Sequence, residues 1–178
     1  MHAPKIILPF QFALAMAGIR EIVGPKHEPA IVGIHQRIFS WIKDDETPYC
    51  ASTMSFWLWA AGYEDPKTVR ARDFEEYGED ATDCPQIGRT IVVLSRGSNP
   101  SKGHVGFFCG YTADGKVVVY GANQSNRMQY SEYAASRVVA LRDPVRVPFE
   151  KAKVDANLRG AELRKAMIDL AVSCKTGA

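Results

Sequence analysis

The 178-residue sequence lacks any CxxC pair, any internal repeat and any low-complexity tract. Its four cysteines (Cys50, Cys84, Cys109 and Cys174) are widely and irregularly spaced. That spacing excludes a zinc knuckle and a small disulfide-stapled scaffold. Reduced thiols are the default expectation, with a Cys84–Cys109 bridge left open. Charge of one sign is also scarce: 22 Lys and Arg against 20 Asp and Glu give a net +2, too weak to argue for nucleic acid. The longest apolar stretch, residues 4–19, is too short for a membrane span and is interrupted by Pro9 and Gln11. Ala15-Met16-Ala17 superficially resembles an export cleavage site, but few basic residues precede it. Phe12, Ala15, Met16, Ile19 and Val23 recur at three- and four-residue steps, so the segment reads as a packed amphipathic helix, and no export signal is assigned.

What remains is an ordinary globular composition, 46% hydrophobic and 24% charged, which at this length suits one domain with a sizeable core. The first half reads helical and the second half reads as strands, the pattern of an α+β domain. Helices are expected over 10–23, ending at Gly24-Pro25, over 29–42, from Cys50 to about Ala61, and over 67–77. The helix at Cys50 carries an apolar stripe of Cys50, Met54, Trp57, Leu58 and Ala61. From Gly88 the period changes, and strands are expected over 89–95, 104–111, 116–122, 127–131 and 137–142. Residues 1–148 form the main domain. Residues 149–178 form a helical extension packed on it, with Leu163, Ala166 or Met167, Leu170, Ala171 and Cys174 on one stripe.

Cys50 follows a polar approach, Asp44-Asp45-Glu46-Thr47-Pro48-Tyr49, and opens an apolar helix. A cysteine in a first helical turn faces the positive end of the backbone dipole, which favours thiolate. Further on, His104 lies in Gly103-His104-Val105-Gly106 at a strand start, and Asn123 and Gln124 lie at the end of the next strand. Cysteine, histidine, then a carboxamide is the order of a papain-like thiol hydrolase. A thiol near its usual pKa of ~8.5 is mostly protonated at neutral pH and needs a base beside it. The imidazole supplies that base and later protonates the leaving amine, and a carboxamide holds the ring. His2, His27 and His35 are poorer bases by position, and Cys84, Cys109 and Cys174 do not start helices. Taken singly, each residue has a duller explanation: a buried cysteine, a histidine capping a loop, an asparagine in a turn.

The turn between the 104–111 and 116–122 strands decides which carboxamide reaches His104. A two-residue turn at Asp114-Gly115 makes Gly106 oppose Asn123, so His104 and Asn123 are diagonal neighbours on one sheet face. A three-residue loop with Gly115 in a bulge presents Gln124 instead. Asn123 is the first choice and Gln124 the reserve. Asp45, Glu46 and Tyr49 could line the cleft, the carboxylates meeting amino groups of a substrate. A solvated acidic loop or a helix N-cap explains the acids equally well. They lack the alternating spacing of a calcium loop, so neither a metal nor a cofactor is expected.

The segments GPKHEPAIV (24–32), DETPYCAS (45–52), GHVGFFCG (103–110) and GANQSN (121–126), in that order over about residues 10–143, resemble the NlpC-type/CHAP superfamily of papain-like cell-wall hydrolases. They are most similar to a subgroup common in bacteriophage lysis genes and prophages. The resemblance implies a papain-like fold in which N-terminal helices pack on a small antiparallel sheet or half-barrel. It implies Cys50 as nucleophile, His104 as base and Asn123 as orienting residue. It also implies hydrolysis of a peptidoglycan amide, either the muramoyl–L-alanine link or a stem-peptide bond. Tyr49 stands where relatives carry tryptophan, and Ala122 where glycine is more usual. No tandem wall-binding module follows, which tilts the expectation towards a compact, monomeric lysin for a thin wall. Such a protein is made in the host cytoplasm, needs no membrane insertion, and acts on the wall after release.

Overall fold

The computed structural model describes residues 9–148, 150–155 and 157–174. The start of the apolar N-terminal stretch, residues 4–8, lies outside them. The described residues form four α-helices, α1 (Pro9–Ala15), α2 (Pro29–Gln36), α3 (Cys50–Ala60) and α4 (Gly160–Ser173). Six strands, β1 (Glu79–Asp80), β2 (Ile91–Ser95), β3 (Gly103–Tyr111), β4 (Val117–Gln124), β5 (Arg127–Tyr133) and β6 (Val138–Asp143), form one open sheet in the order β1-β6-β2-β3-β4-β5. All recorded pairings are antiparallel, so the chain is an α+β protein. Short 3-10 helices cover Ala71–Glu76, where an α-helix is expected from the sequence, and Ala135–Arg137.

Each sheet face is buried by its own cluster. Val93, Val105, Phe107, Tyr120 and Ala122 face the helices, and the Trp57 ring of α3 stacks on Phe107 at a centroid distance of 6.0 Å. Val92, Leu94, Phe108, Val119 and Leu141 form a smaller cluster on the opposite face. This alternation is the period-two consequence of strand geometry. Helix α3 is buried nearly all round rather than along one stripe, with only Trp59 outside the buried set. Ala51, Ser52 and Ser55, which do not register as apolar anchors, are small enough to let α1, α2 and the sheet close on it. Helix α4 buries Leu163, Met167 and Ala171 in the main core. It approaches α2 so closely that a side chain at Gly33 would strike the Ala171 carbonyl.

Helices α1 and α2 are shorter than their periodicity suggests. Past Ala15 the chain turns through Gly18, whose φ of +81° suits glycine, and adds to the sheet edge. There the Met128 N–H donates to the Ile19 carbonyl at 2.8 Å, and the Glu21 N–H to the Asn126 carbonyl at 3.0 Å. The α2 segment ends at Gln36 and continues as turns. Within the described residues, no helix is long and apolar enough to cross a membrane.

Candidate active site

The approach to Cys50 is tied down by buried polar groups. Asp45 is fully buried. Its Oδ2 accepts the N–H of Glu28 at 2.7 Å and of Ile22 at 2.9 Å, and its Oδ1 contacts His27 Nδ1 at 2.9 Å. Burial alone pushes this carboxyl up, but these hydrogen bonds outweigh it and hold the pKa below the usual carboxylate range. One residue earlier, Asp44 Oδ1 accepts the Thr47 N–H at 2.7 Å. From α2, the buried His35 ring places Nε2 3.1 Å from the Thr47 carbonyl. Burial lowers the His35 pKa, so the ring is read as neutral and donates Nε2–H to that carbonyl.

This arrangement changes the expectation for the acidic approach. Asp45 does not line a cleft, because its oxygens are spent on residues 22–28. Tyr49 is also fully buried, its hydroxyl directed at the backbone of Glu21 and Asn123 without completing a hydrogen bond to either. Its burial drives the phenol pKa well up. Of the three, only Glu46 is exposed.

Cys50 opens α3, and Tyr49 supplies no side-chain cap to the first-turn N–H groups. The N–H groups of Val105, Ala51 and Cys50 itself and the charge of Arg96 all favour the thiolate, yet burial is the larger effect and the thiol pKa is raised. With 6% of its surface exposed, the side chain is a neutral thiol at rest. The helix start favours the thiolate, as its backbone dipole requires, but desolvation outweighs it.

The Val105 N–H is free to favour the thiolate because β3 and β4 part company there. Their recorded pairs run from Tyr111↔Val117 to Phe107↔Tyr120 and stop short of His104. The loop between them is residues 113–115: the Thr112 N–H donates to the Lys116 carbonyl at 2.9 Å, and Gly115 has φ +81°. Two irregularities follow, one before Tyr111, where Gly110 has φ +110°, and one between Gly121 and Gln124, where Asn123 has φ +58°. Together they turn Gln124, rather than Asn123, towards His104. Asn123 instead lines the hollow beside the ring, half-buried, with its backbone forming the bulge.

The His104–Gln124 contact fixes the imidazole tautomer. Gln124 is 2% exposed, and its Nε2 donates to the carbonyls of Val119 (3.2 Å), Gly121 (3.4 Å) and Gln129. With the amide nitrogen held by carbonyls, Oε1 must be the atom facing the ring. It lies 3.2 Å from His104 Nε2 and also accepts the Tyr133 hydroxyl at 2.8 Å. An oxygen cannot donate, so Nε2 carries the proton and Nδ1 has the free lone pair. A side chain at Gly121 would place its first carbon 3.2 Å from His104 Nε2, so glycine there leaves room for the ring. Burial is the main reason that the His104 pKa falls to about 4. The Gln124 hydrogen bond opposes the fall, while Arg137 and Arg96 deepen it.

His104 and Val105 are successive residues on β3, so the imidazole and the N–H that favours the Cys50 thiolate come from adjacent positions. The sulfur makes no hydrogen bond to the ring among the described residues. Three hollows adjoin along this line. One of about 430 Å³ holds Cys50, one of about 240 Å³ holds His104 and Gln124, and one of about 440 Å³ holds Glu21 and Arg127. Arg96 is shared by the first two and Ser125 by the last two.

Sequence reasoning missed Tyr133, Arg96 and Arg137. Arg137 donates from Nε and Nη2 to the Ser95 carbonyl at 3.0 and 2.9 Å and lies 4.8 Å above the Tyr133 ring. The signal for Arg96 was its place just after a buried strand. Nothing in the alternation of residues 127–133 marked Tyr133. No group of three or more His, Cys, Asp or Glu side chains is placed to hold a metal ion among the described residues.

Fold and site together define an α+β protein with a buried cysteine at a helix start and a histidine whose tautomer is set by a glutamine, in two hollows that share Arg96. No family model, curated protein or solved structure compared with the chain matches it.

Proposed function

We propose that the chain is a papain-like thiol hydrolase of the NlpC/CHAP type that cuts an amide bond in peptidoglycan. The bond is either the N-acetylmuramoyl–L-alanine link or one within the stem peptide, and the setting is that of an endolysin acting on the wall after release. The observation that carries this reading is the His104–Gln124 hydrogen bond, which leaves Nδ1 unprotonated on the residue just before Val105, whose N–H favours the Cys50 thiolate.

The chemistry follows from two neutral partners. Because burial raises the thiol and lowers the imidazole, the resting pair is not an ion pair. As the sulfur attacks the amide carbon, Nδ1 of His104 takes its proton, and Gln124 Oε1 steadies the resulting imidazolium through Nε2–H. The N–H groups around the start of α3 are the candidate donors to the tetrahedral oxyanion. The imidazolium then protonates the leaving amine, and water, deprotonated by His104, cleaves the thioester.

A second reading, a non-catalytic wall-binding or virion structural domain, is favoured by the buried sulfur and by its lack of a bond to the ring. Lysis of outer-membrane-permeabilised cells by purified protein separates the two. The hydrolase reading expects clearing by the wild type and none by Cys50→Ala. Binding without clearing by both proteins would favour the second reading.

A further inference from the structure

We infer that the hollow on the Cys50 side is a carboxylate subsite, built to take a free carboxylate of the wall peptide being cut; this rests on the hydrolase reading above. Its lining includes Cys50, Arg70, Arg96, Ser101 and Lys102, three cations with no acidic residue among the lining side chains. Arg96 and Lys102 face each other across the base of the β2–β3 turn, the Arg96 N–H donating to the Lys102 carbonyl at 3.2 Å.

Both side chains are without an ion-pair partner among the described residues. Some arginines do have one, Arg37 with Asp65 at 2.7 Å, Arg89 with Asp143 at 2.8 Å and Arg72 with Glu75, whereas Arg20, Arg127 and Arg146 share the condition of Arg96. Even Arg70 has only a loose, exposed partner, Asp73 at 3.8 Å. What distinguishes the Cys50 hollow is that three cations line it with no acid among them, in a chain whose net charge is only +2.

The acids expected from sequence to greet amino groups are elsewhere. Asp45 is consumed internally, and Glu46 lies near Glu21, which borders the far hollow. The far hollow sets Glu21 against Arg20 and Arg127, so the hollow with cations and no acid on the Cys50 side carries the larger positive excess. A guanidinium offers a planar fork that matches a carboxylate, which an amide cannot replace. The ligand class is accordingly an anionic peptide.

Soluble wall fragments of one stem peptide, prepared with free carboxylates or with those carboxylates amidated, test the subsite. The wild type is expected to favour the free acid by about 10- to 100-fold in kcat/KM, the range of a charged hydrogen bond, mostly through KM. Arg96→Gln should bring that ratio close to one, and Arg96→Lys should restore part of it. A ratio near one in the wild type, or a ratio unchanged in Arg96→Gln, overturns the subsite while leaving the hydrolase standing. Absence of turnover on both fragments overturns the hydrolase instead. Binding of the same two fragments to Cys50→Ala then decides the subsite by itself: tighter binding of the acid, lost on adding Arg96→Gln, supports it, and equal or absent binding overturns it.

Discussion

Two buried polar hubs, Asp45 and Gln124, look alike in burial and differ in what they hold. Asp45 directs its carboxylate at the N–H groups of Ile22 and Glu28 and at His27, and so joins the chain after α1 to the segment before α3. Gln124 binds three carbonyls and the Tyr133 hydroxyl, but it keeps one contact for an imidazole. Buried polar groups are satisfied as a rule, so satisfaction alone does not mark function. The mark is a partner that still has chemistry to spare. His104 has an unprotonated Nδ1 after its bond to Gln124, whereas the backbone N–H groups on Asp45 have nothing left to do.

Substitutions can break this contrast, the largest effect falling on the reacting groups. Cys50→Ala and His104→Ala should each lower turnover by about 10³-fold or more with little change in thermal midpoint. Next comes Asp45→Ala, which leaves the N–H groups of Ile22 and Glu28 and the His27 ring without their acceptor. We expect a stability loss of about 3 kcal/mol by denaturant titration, with kcat of the surviving folded fraction within a few-fold of the wild type. Gln124→Ala should do the reverse: turnover falls by about 10- to 100-fold as the ring loses its tautomer and orientation, and stability falls less than for Asp45→Ala. Gln124→Glu is not conservative, because a carboxylate would face the three carbonyls that now accept from the amide.

Acid separates the hubs by pH window. Above pH 6.5, His104 is neutral in folded and unfolded chains alike and contributes no pH dependence. Below it the unfolded chain takes up a proton that the folded chain refuses down to about 4. Stability should therefore decline between pH 6.5 and 4, by on the order of 3 kcal/mol, and His104→Gln should flatten that decline. Asp45, whose folded pKa is lowered, supports the fold above the ordinary carboxylate value and gives way only at more acidic pH, as its own pKa is crossed. By the same reasoning, the acid limb of kcat/KM should fall well below the usual pH 6.5. The smallest effect is expected at Asn123: Ala there loses a residue suited to φ +58°, at about 1 kcal/mol, with turnover changed less than in Gln124→Ala.

Much of this was legible in the sequence and some was not, for identifiable reasons. The helix at Cys50, the strand at His104, the α+β order and the α4 stripe of Leu163, Met167 and Ala171 follow from apolar periodicity and from Gly and Pro breaks. The choice between Asn123 and Gln124 did not follow. It depends on the length of the 113–115 loop and on two strand irregularities, none of which leaves an apolar pattern. Asp45 was misplaced because an aspartate in a polar stretch reads as exposed, and its acceptors' donors lie 17 to 23 residues earlier in the chain. The thiolate preference failed because local sequence reveals a helix start but not how deeply it is buried.

Mass spectrometry of peptidoglycan digested in ¹⁸O-labelled water tests the central claim most directly. The account predicts one labelled oxygen at a single type of newly freed carboxyl, produced by the wild type and absent with Cys50→Ala. Unchanged peptidoglycan after incubation with the wild type, or the same labelled fragments from Cys50→Ala, would contradict it.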